Sequence, residues 1–181
     1  MSIFISGGAK NGKSSLAQDL TVALSGGGKR YYVATMIPVD AEDRERIRLH
    51  VLDRAGMGFE TIECGQNLLS CLEYAEADAA FLVDSATALL QNAMFPRENS
   101  YQLDLESAER CARDLERFAQ TVEKCVIVSD DISSTAQRFD PSTECYRKCL
   151  ADIDRRLAKV CDTVIEVCAG QWIVHKGGMP E

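Results

Sequence analysis

The chain has 181 residues, of which 46% are hydrophobic and 27% are charged, and its formal net charge is −8. This size and composition are typical of one globular domain, so we predict a single domain over residues 1–181. The negative charge disfavours nucleic acid and anionic membranes as partners. No run approaches the ~18 apolar residues of a membrane span, and no signal peptide is recognisable, so we expect a cytoplasmic protein.

The first apolar run, residues 3–5, leads directly into Gly-Gly-Ala-Lys-Asn-Gly-Lys-Ser. This is the spacing of a phosphate-binding loop (P-loop), whose backbone N–H groups surround nucleotide phosphates. We expect Lys13 to bind the β/γ-phosphate oxygens and the Ser14 hydroxyl to ligate Mg²⁺. A predicted helix from residue 13 to about 24 directs its positive end at the same anion, and this context disfavours a chance match. The nucleotide-binding candidates are Gly7, Gly8, Ala9, Lys10, Asn11, Gly12, Lys13 and Ser14.

Apolar, β-rich runs alternate with helical patterns along the rest of the chain, which predicts a parallel sheet covered by helices. Seven strands are predicted, at 3–6, 31–35, 59–62, 80–83, 125–128, 163–167 and 172–175. The last two flank Ala169 and Gly170, which favours an edge hairpin. The predicted fold class is α/β, a P-loop-containing, doubly wound and mostly parallel sheet with an antiparallel C-terminal edge hairpin.

Helical periodicity predicts four helices, which begin at residue 13, near 40, near 105 and after 140. The second is expected to turn Ile47 and Val51 toward the core. Asp140 followed by Pro141 suits the cap and first turn of the fourth, which runs to about residue 160. The stretch 96–104 is the clearest predicted loop.

Asp84 follows the apolar run 79–83. In P-loop enzymes a carboxylate at the carboxyl end of a strand supports Mg²⁺ beside the loop serine. An aspartate after an apolar run is common, and a simple strand-terminal residue is the alternative. Together with a complete P-loop, the pattern favours Asp84 and Ser14 as Mg²⁺ ligands.

His50 lies in the highly charged segment 40–54 and is one of two histidines. On a helix, Arg46 and Arg54 would share its face. Two guanidinium groups there would favour a neutral imidazole and can bind a phosphate bidentately, an arrangement suited to attack at phosphorus. Residue types alone nevertheless favour a surface histidine on a solvated, charged helix. The other histidine, His175, is expected to be structural.

Eight cysteines would suit disulfides or a metal site, but no Cys-x-x-Cys pair occurs. Cys145 and Cys149 continue an apolar stripe of a predicted helix, and Cys125 begins the apolar run 125–128. Cysteines in such positions are typically small core residues in a reducing compartment. We therefore predict structural thiols rather than zinc ligands or a catalytic thiol.

Five segments occur in the order found in one known family: the P-loop, then 32–35, 46–50, 61–63 and 82–84, which read Tyr-Val-Ala-Thr, Arg-Ile-Arg-Leu-His, Thr-Ile-Glu and Leu-Val-Asp. Over essentially its whole length the chain resembles the bifunctional adenosylcobinamide kinase/adenosylcobinamide-phosphate guanylyltransferases of cobalamin biosynthesis. The Arg-Ile-x-x-His element is far more specific than the P-loop. In that family its histidine accepts GMP from GTP as a phosphoramidate, so the resemblance implies that His50 is the nucleophile.

The resemblance also implies a doubly wound sheet with an antiparallel edge and a small homo-oligomer, trimers being known. It implies GTP, ATP and Mg²⁺ as cofactors and adenosylcobinamide and its phosphate as substrates. His50 and Lys13 are the implied catalytic residues. Outside the P-loop, the implied nucleotide-binding residues are Val33, Ala34, Thr35, Val51, Leu52, Asp53, Arg54, Glu63 and Asp84.

One stretch departs from the family pattern. Many members carry Asn-Glu-Val-Gly and then Gly-Ile-Val-Pro after the fifth strand, whereas residues 129–135 here read Ser-Asp-Asp-Ile-Ser-Ser-Thr. Loops carry substrate contacts and tolerate replacement, which would let Asp130 and Asp131 contact the corrinoid or its aminopropanol arm. The departure bears on the acceptor substrate and the kinase half, and not on guanylyl transfer.

We therefore expect an enzyme that phosphorylates adenosylcobinamide with ATP or GTP and then transfers GMP from GTP, through His50, to give adenosyl-GDP-cobinamide. One alternative is a P-loop kinase of another small alcohol, with His50 structural. The other is a nucleotide-switched binding protein or regulatory GTPase, which the absence of an Asn-Lys-x-Asp element disfavours. Covalent retention of GMP distinguishes the first from both alternatives.

Overall fold

The computed structural model describes residues 1–76, 78–96, 103–132 and 137–180. Its strands form one sheet, in the order β3-β2-β4-β5-β1-β6-β7. All neighbours from β3 to β6 are parallel, and β6 and β7 are antiparallel. This confirms the predicted fold class. The strands are β1 Ser2–Gly7, β2 Arg30–Ala34, β3 Glu60–Glu63, β4 Ala80–Asp84, β5 Cys125–Asp130, β6 Thr163–Cys168 and β7 Gln171–Lys176.

The described residues form five α-helices and one 3-10 helix. The α-helices are α1 Lys13–Ser25, α2 Ala41–Asp53, α3 Ala86–Met94, α4 Leu105–Thr121 and α5 Pro141–Val160, and the 3-10 helix is Leu68–Tyr74. All four predicted α-helices are present. The predicted loop at 96–104 falls mainly outside the described residues.

Helix α3 lies beyond the sequence predictions, although the chain carries a signal for it. The Ser85 hydroxyl accepts a hydrogen bond from the Ala88 N–H, which is a helix N-cap. Leu89, Leu90 and Met94 are buried on one side of the helix. The serine and this apolar spacing together would have identified the helix.

The core consists of two layers because the central strands are covered on both faces. Alternate residues of a strand point to opposite faces. Ile3 and Ile5 pack on the side of α1, whereas Phe4 packs on the side of α3, α4 and α5. Near-continuous apolar runs in β1, β4 and β5 follow from this double burial.

The cysteines occupy mixed environments. All eight are free thiols, and four of them are buried. Burial raises the pKa of the Cys71 thiol to about 12, which makes it unreactive near neutral pH. The prediction of a core position is wrong for Cys168, which is exposed because it is the last residue of β6 and lies on the solvent-facing side of that strand, with Glu166.

Helix α2 differs from the other helices because none of its thirteen residues, all of them described, is buried. The predicted inward orientation is therefore wrong for Val51, whereas Ile47 lies on the less exposed side of the helix. Ile47 is half-buried, and Val51 is 47% exposed. Charged residues dominate the helix, so it has too little apolar surface to lie flat on the sheet.

Among the described helices, none combines the length and the apolar character that crossing a membrane requires.

Candidate functional site

The candidate site lies at the carboxyl edge of the parallel strands, where ligands bind in open α/β sheets. The P-loop leaves β1 at Gly7 and enters α1 at Lys13. Asp84 ends β4, and Asp130 ends β5. The sheet thus brings three sequence-distant segments to one edge. Because β5 lies between β1 and β4, Asp84 stands two strand spacings from the P-loop strand, about 10 Å.

The P-loop has the backbone conformation that its glycines allow. Gly12 adopts φ 87°, a left-handed conformation, immediately before α1. A Cβ atom on Gly7 would lie 2.2 Å from the Val167 carbonyl oxygen, so only glycine fits between β1 and β6. Within the described residues no side chain caps the first turn of α1. The backbone N–H groups of this turn are therefore available to a phosphate, as binding of a nucleotide requires.

Lys13 is 5% exposed, yet its charge is fully engaged. Its Nζ donates to the Gly8 carbonyl oxygen at 2.6 Å and lies 2.9 Å from Asp130 Oδ1. Asp130 is itself oriented by its N–H, which donates to Thr87 Oγ1 at 2.8 Å. The Asp130 carboxylate therefore occupies the place beside the Lys13 ammonium group that a phosphate oxygen would take in the nucleotide complex. Sequence reasoning directed Asp130 toward the corrinoid instead. The signal for its actual position is an acidic residue after an apolar strand, the same pattern as Asp84.

Asp84 is held by groups on the neighbouring strand β2. Its Oδ2 accepts a hydrogen bond from the Tyr32 hydroxyl at 2.9 Å. Burial and the nearby Asp84 carboxylate together raise the pKa of Tyr32 well above its usual value, so the hydroxyl remains a donor. Asp84 and the Ser14 hydroxyl are hard oxygen donors of the kind that Mg²⁺ prefers, and they are the residues that would hold it.

Thr35 lies just beyond β2 and is fully buried. Its hydroxyl accepts from the Ser85 N–H at 2.6 Å and donates to the Ser85 carbonyl oxygen at 3.0 Å. Asn92 of α3 donates to the carbonyl oxygens of Thr35 and Gly65, each at 2.9 Å. These bonds fix the ends of three strands relative to one another. Asn92 was not among the predicted site residues because α3, the helix that carries it, was not predicted.

The remaining residues of the 33–35 segment face different surroundings. Val33 has its side chain in the core, and Ala34 is half-buried at the end of β2. A nucleotide can therefore reach this segment chiefly through its backbone.

The structure does not bring Arg46 and Arg54 together around His50. Arg54 is 7% exposed, and its guanidinium lies 4.0 Å from the centre of the Tyr32 ring. Its Nη2 donates to Thr61 Oγ1 at 2.9 Å. Arg46 instead lies near Asp43 on the exposed side of α2. The two guanidinium groups diverge because Arg54 follows the last residue of α2 and turns onto the sheet.

His50 is half-buried in the last turn of α2. Its Nδ1 atom is buried and has no hydrogen-bond partner among the described residues. Orphaned buried ring nitrogens are uncommon and indicate an unfilled polar interaction. The other predicted residues of this region, Val51, Leu52, Asp53 and Glu63, are exposed.

A further acidic residue near the site, Asp154, lies on α5. The Oδ1 atom of Asp154 and the Oγ atom of Ser129 are both buried without a hydrogen-bond partner in the described part of the chain. Burial, with the charges of Asp131 and Asp130, raises the pKa of Asp154 to about 6. The nearby Ser129 hydroxyl offsets part of this effect.

We expect Asp154 to make stability fall as pH rises from about 4 to about 6. A carboxyl with a raised folded-state pKa keeps its proton longer than in the unfolded chain, so its stabilising contribution is present at low pH and is lost as that proton leaves. The shift from 3.8 to about 6 corresponds to on the order of 2–3 kcal/mol of unfolding free energy. Chemical unfolding of the wild type and Asp154→Asn, at about pH 4 and about pH 7.5, measures it.

The variant should gain stability relative to the wild type at the higher pH. Asp152→Asn, at a side chain 42% exposed on the same helix, is the control, and its difference from the wild type should change less with pH. Equal shifts for the two variants would contradict the assignment to Asp154.

The strand order, the P-loop and its buried lysine define a nucleotide-binding α/β protein of the P-loop class. Among solved structures, an ATPase domain matches with a TM-score of 0.52 and 9% sequence identity, over 97% of this chain and 76% of that chain. At that identity the similarity shows the fold alone.

Sequence comparison identifies the family. The model of the cobinamide kinase / cobinamide phosphate guanyltransferase family matches residues 3–174, and the chain belongs to that family. A curated relative is the bifunctional adenosylcobalamin biosynthesis protein CobU of Salmonella typhimurium strain LT2. It is 26% identical over 186 residues, which cover 98% of this chain and 97% of the relative. The protein is therefore a cobinamide kinase and cobinamide phosphate guanylyltransferase family enzyme of cobalamin biosynthesis, with cobinamide compounds as substrates and nucleotides as donors.

Proposed function

We propose that the protein phosphorylates adenosylcobinamide with ATP or GTP at the P-loop and then transfers GMP from GTP through His50. The observation that carries this proposal is the division of the site between two elements. A buried P-loop lysine, Lys13, begins α1, whose first turn has no side-chain cap, and a histidine with a free, buried Nδ1 lies on the separate helix α2.

In the kinase step, the substrate hydroxyl attacks the γ-phosphorus of the donor, and the bond to the β,γ-bridging oxygen breaks. The N–H groups of residues 7–14 and the Lys13 charge bind the phosphate oxygens as negative charge shifts toward the leaving diphosphate. Bound Mg²⁺, held by Ser14 and Asp84, would add positive charge at the same oxygens. Asp130 must release Lys13 when the nucleotide binds, because both use the same ammonium group.

In the guanylyl step, an imidazole nitrogen of His50 attacks the α-phosphorus of GTP, and pyrophosphate leaves. The phosphate of adenosylcobinamide phosphate then attacks the same phosphorus, which breaks the N–P bond and gives adenosyl-GDP-cobinamide. GMP transfer thus takes place in two successive displacements through a covalent intermediate on the enzyme, so ping-pong kinetics are expected. Of the predicted contacts, Val51, Leu52, Asp53 and Glu63 are exposed and accessible to the nucleotide.

We also propose a cytoplasmic homo-oligomer, a trimer as in related enzymes, built from one P-loop nucleotide-binding domain per chain. Helix α2 supports this proposal. It buries none of its own residues and exposes the apolar side chain of Leu49, which is not among the proposed nucleotide contacts. A second copy that covers Leu49 would remove this apolar surface from water.

Incubation with α-labelled GTP tests the proposed function. The wild type should retain an acid-labile, alkali-stable GMP label, and adenosylcobinamide phosphate should discharge it as adenosyl-GDP-cobinamide. A protein that consumes ATP with adenosylcobinamide but never retains GMP would instead be a plain kinase.

A further inference from the structure

The attachment of α2 to the sheet depends on few contacts. The helix carries His50, yet none of its described residues is buried. The first buried residue after it is Arg54, which follows its last turn and is 7% exposed. Arg54 follows His50 by only four positions along the chain, so the position of Arg54 constrains that of the imidazole.

Arg54 is bound to two adjacent strands. Its guanidinium lies on the Tyr32 ring of β2, 4.0 Å from the ring centre, and donates to Thr61 of β3 at 2.9 Å. Tyr32 and Thr61 are register partners in the β2/β3 ladder. A planar guanidinium suits both contacts at once, since it stacks on a ring and donates in its own plane.

The same tyrosine contacts the other half of the site. Its hydroxyl donates to Asp84 Oδ2 at 2.9 Å, at the end of β4. Tyr32 is itself buried, and Phe59 packs edge-on against its ring. The Tyr32 side chain therefore contacts both Arg54, which follows the helix of His50, and the Asp84 carboxylate at the edge of the sheet where the P-loop lies.

We propose that Arg54 is a positioning residue that fastens the His50 helix to the sheet through Tyr32 and Thr61, and that Tyr32 links this helix to Asp84. The proposal rests on the proposed role of His50. It differs from a role for Arg54 as a phosphate ligand, because the fastening exists in the nucleotide-free protein.

Amide hydrogen exchange of the full-length, nucleotide-free protein tests the fastening directly. Arg54→Met should speed exchange of the segment Ala41–Asp53 by about tenfold relative to the wild type, since cation–π and hydrogen-bond contacts are lost. Exchange in α5 should stay unchanged. Arg48→Met is the matched control, because Arg48 is exposed and bonds to Glu45 within the same helix. Equal rates in the wild type and Arg54→Met would overturn the proposal.

Two milder variants test the separate contacts if Arg54→Met fails to fold. Thr61→Val removes the hydroxyl acceptor and should speed exchange of α2 by about threefold. Tyr32→Phe keeps the ring, so α2 exchange should stay at the wild-type rate, whereas the kinase reaction should require more Mg²⁺ because Asp84 loses its donor. Fast α2 exchange in Tyr32→Phe, or unchanged exchange in Thr61→Val, would contradict the assignment.

Kinetics separate positioning from phosphate binding. Arg54→Met should lower the maximal rate of GMP labelling and change the KM for GTP little, whereas loss of a phosphate ligand would mainly raise KM. An increase in KM alone would overturn the proposal. Failure of the wild type to retain GMP would remove the proposed function of His50, but the exchange difference would still establish the fastening.

Discussion

His50→Asn is expected to abolish retention of GMP and to lower formation of adenosyl-GDP-cobinamide by at least about 10³-fold, because no other nucleophile replaces the imidazole. Phosphorylation of adenosylcobinamide should remain within about twofold of the wild type, since that step uses the P-loop. Asparagine is close to histidine in size and polarity, so the half-buried site tolerates it. Acid-labile label on the protein and chromatographic separation of the two corrinoid products measure the two steps independently.

His175→Asn is the matched control for this experiment. His175 lies in the edge strand β7, exposed and bonded to Glu166. Its variant should label with GMP at the wild-type rate. Persistent labelling of His50→Asn would place the nucleophile elsewhere, and equal loss in both variants would indicate a general effect on folding.

Lys13→Met is expected to lower kinase turnover by about 10²- to 10³-fold, the scale on which removal of one electrostatic stabiliser acts. The variant loses the ammonium that binds the phosphates and leaves the Asp130 carboxylate without its partner, 2.9 Å away in the wild type. That carboxylate then faces the phosphates and repels them. Nucleotide affinity should therefore fall as well, which equilibrium binding of GTP measures.

A double variant separates the two effects of Lys13. Lys13→Met combined with Asp130→Asn should recover part of the lost nucleotide affinity but little of the turnover, since repulsion is relieved while the stabilising charge stays absent. Lys29→Met, at a lysine paired with Glu60, is the control and should leave both quantities unchanged. Kinase activity near the wild-type level in Lys13→Met would contradict the role of the loop lysine.

Local patterns made much of the fold predictable. The central strands β1, β4 and β5 are near-continuous apolar runs because both of their faces are buried, and apolar, β-rich patterns also identified the other four strands. The P-loop was recognisable because its function depends on a short, contiguous spacing. The position of helix α2 along the chain was predicted correctly, but its packing was not. The helical spacing of Ile47 and Val51 predicted an inward-facing side. The helix carries too few apolar residues, compared with its charged ones, to bury that side in the core.

The sequence by itself therefore determined the seven strands, four of the five described α-helices, the P-loop and the candidates His50 and Asp84. Only the tertiary structure decided which side chains meet. The pairing of Lys13 with Asp130 depends on β5 lying beside β1, and the contact of Tyr32 with Asp84 depends on β2 lying beside β4. Both are pairings of strands far apart in the chain, which no local periodicity specifies. Arg54 was assigned to the face of His50 by helical spacing, but the helix ends before it, and burial against an aromatic ring gave it a different partner.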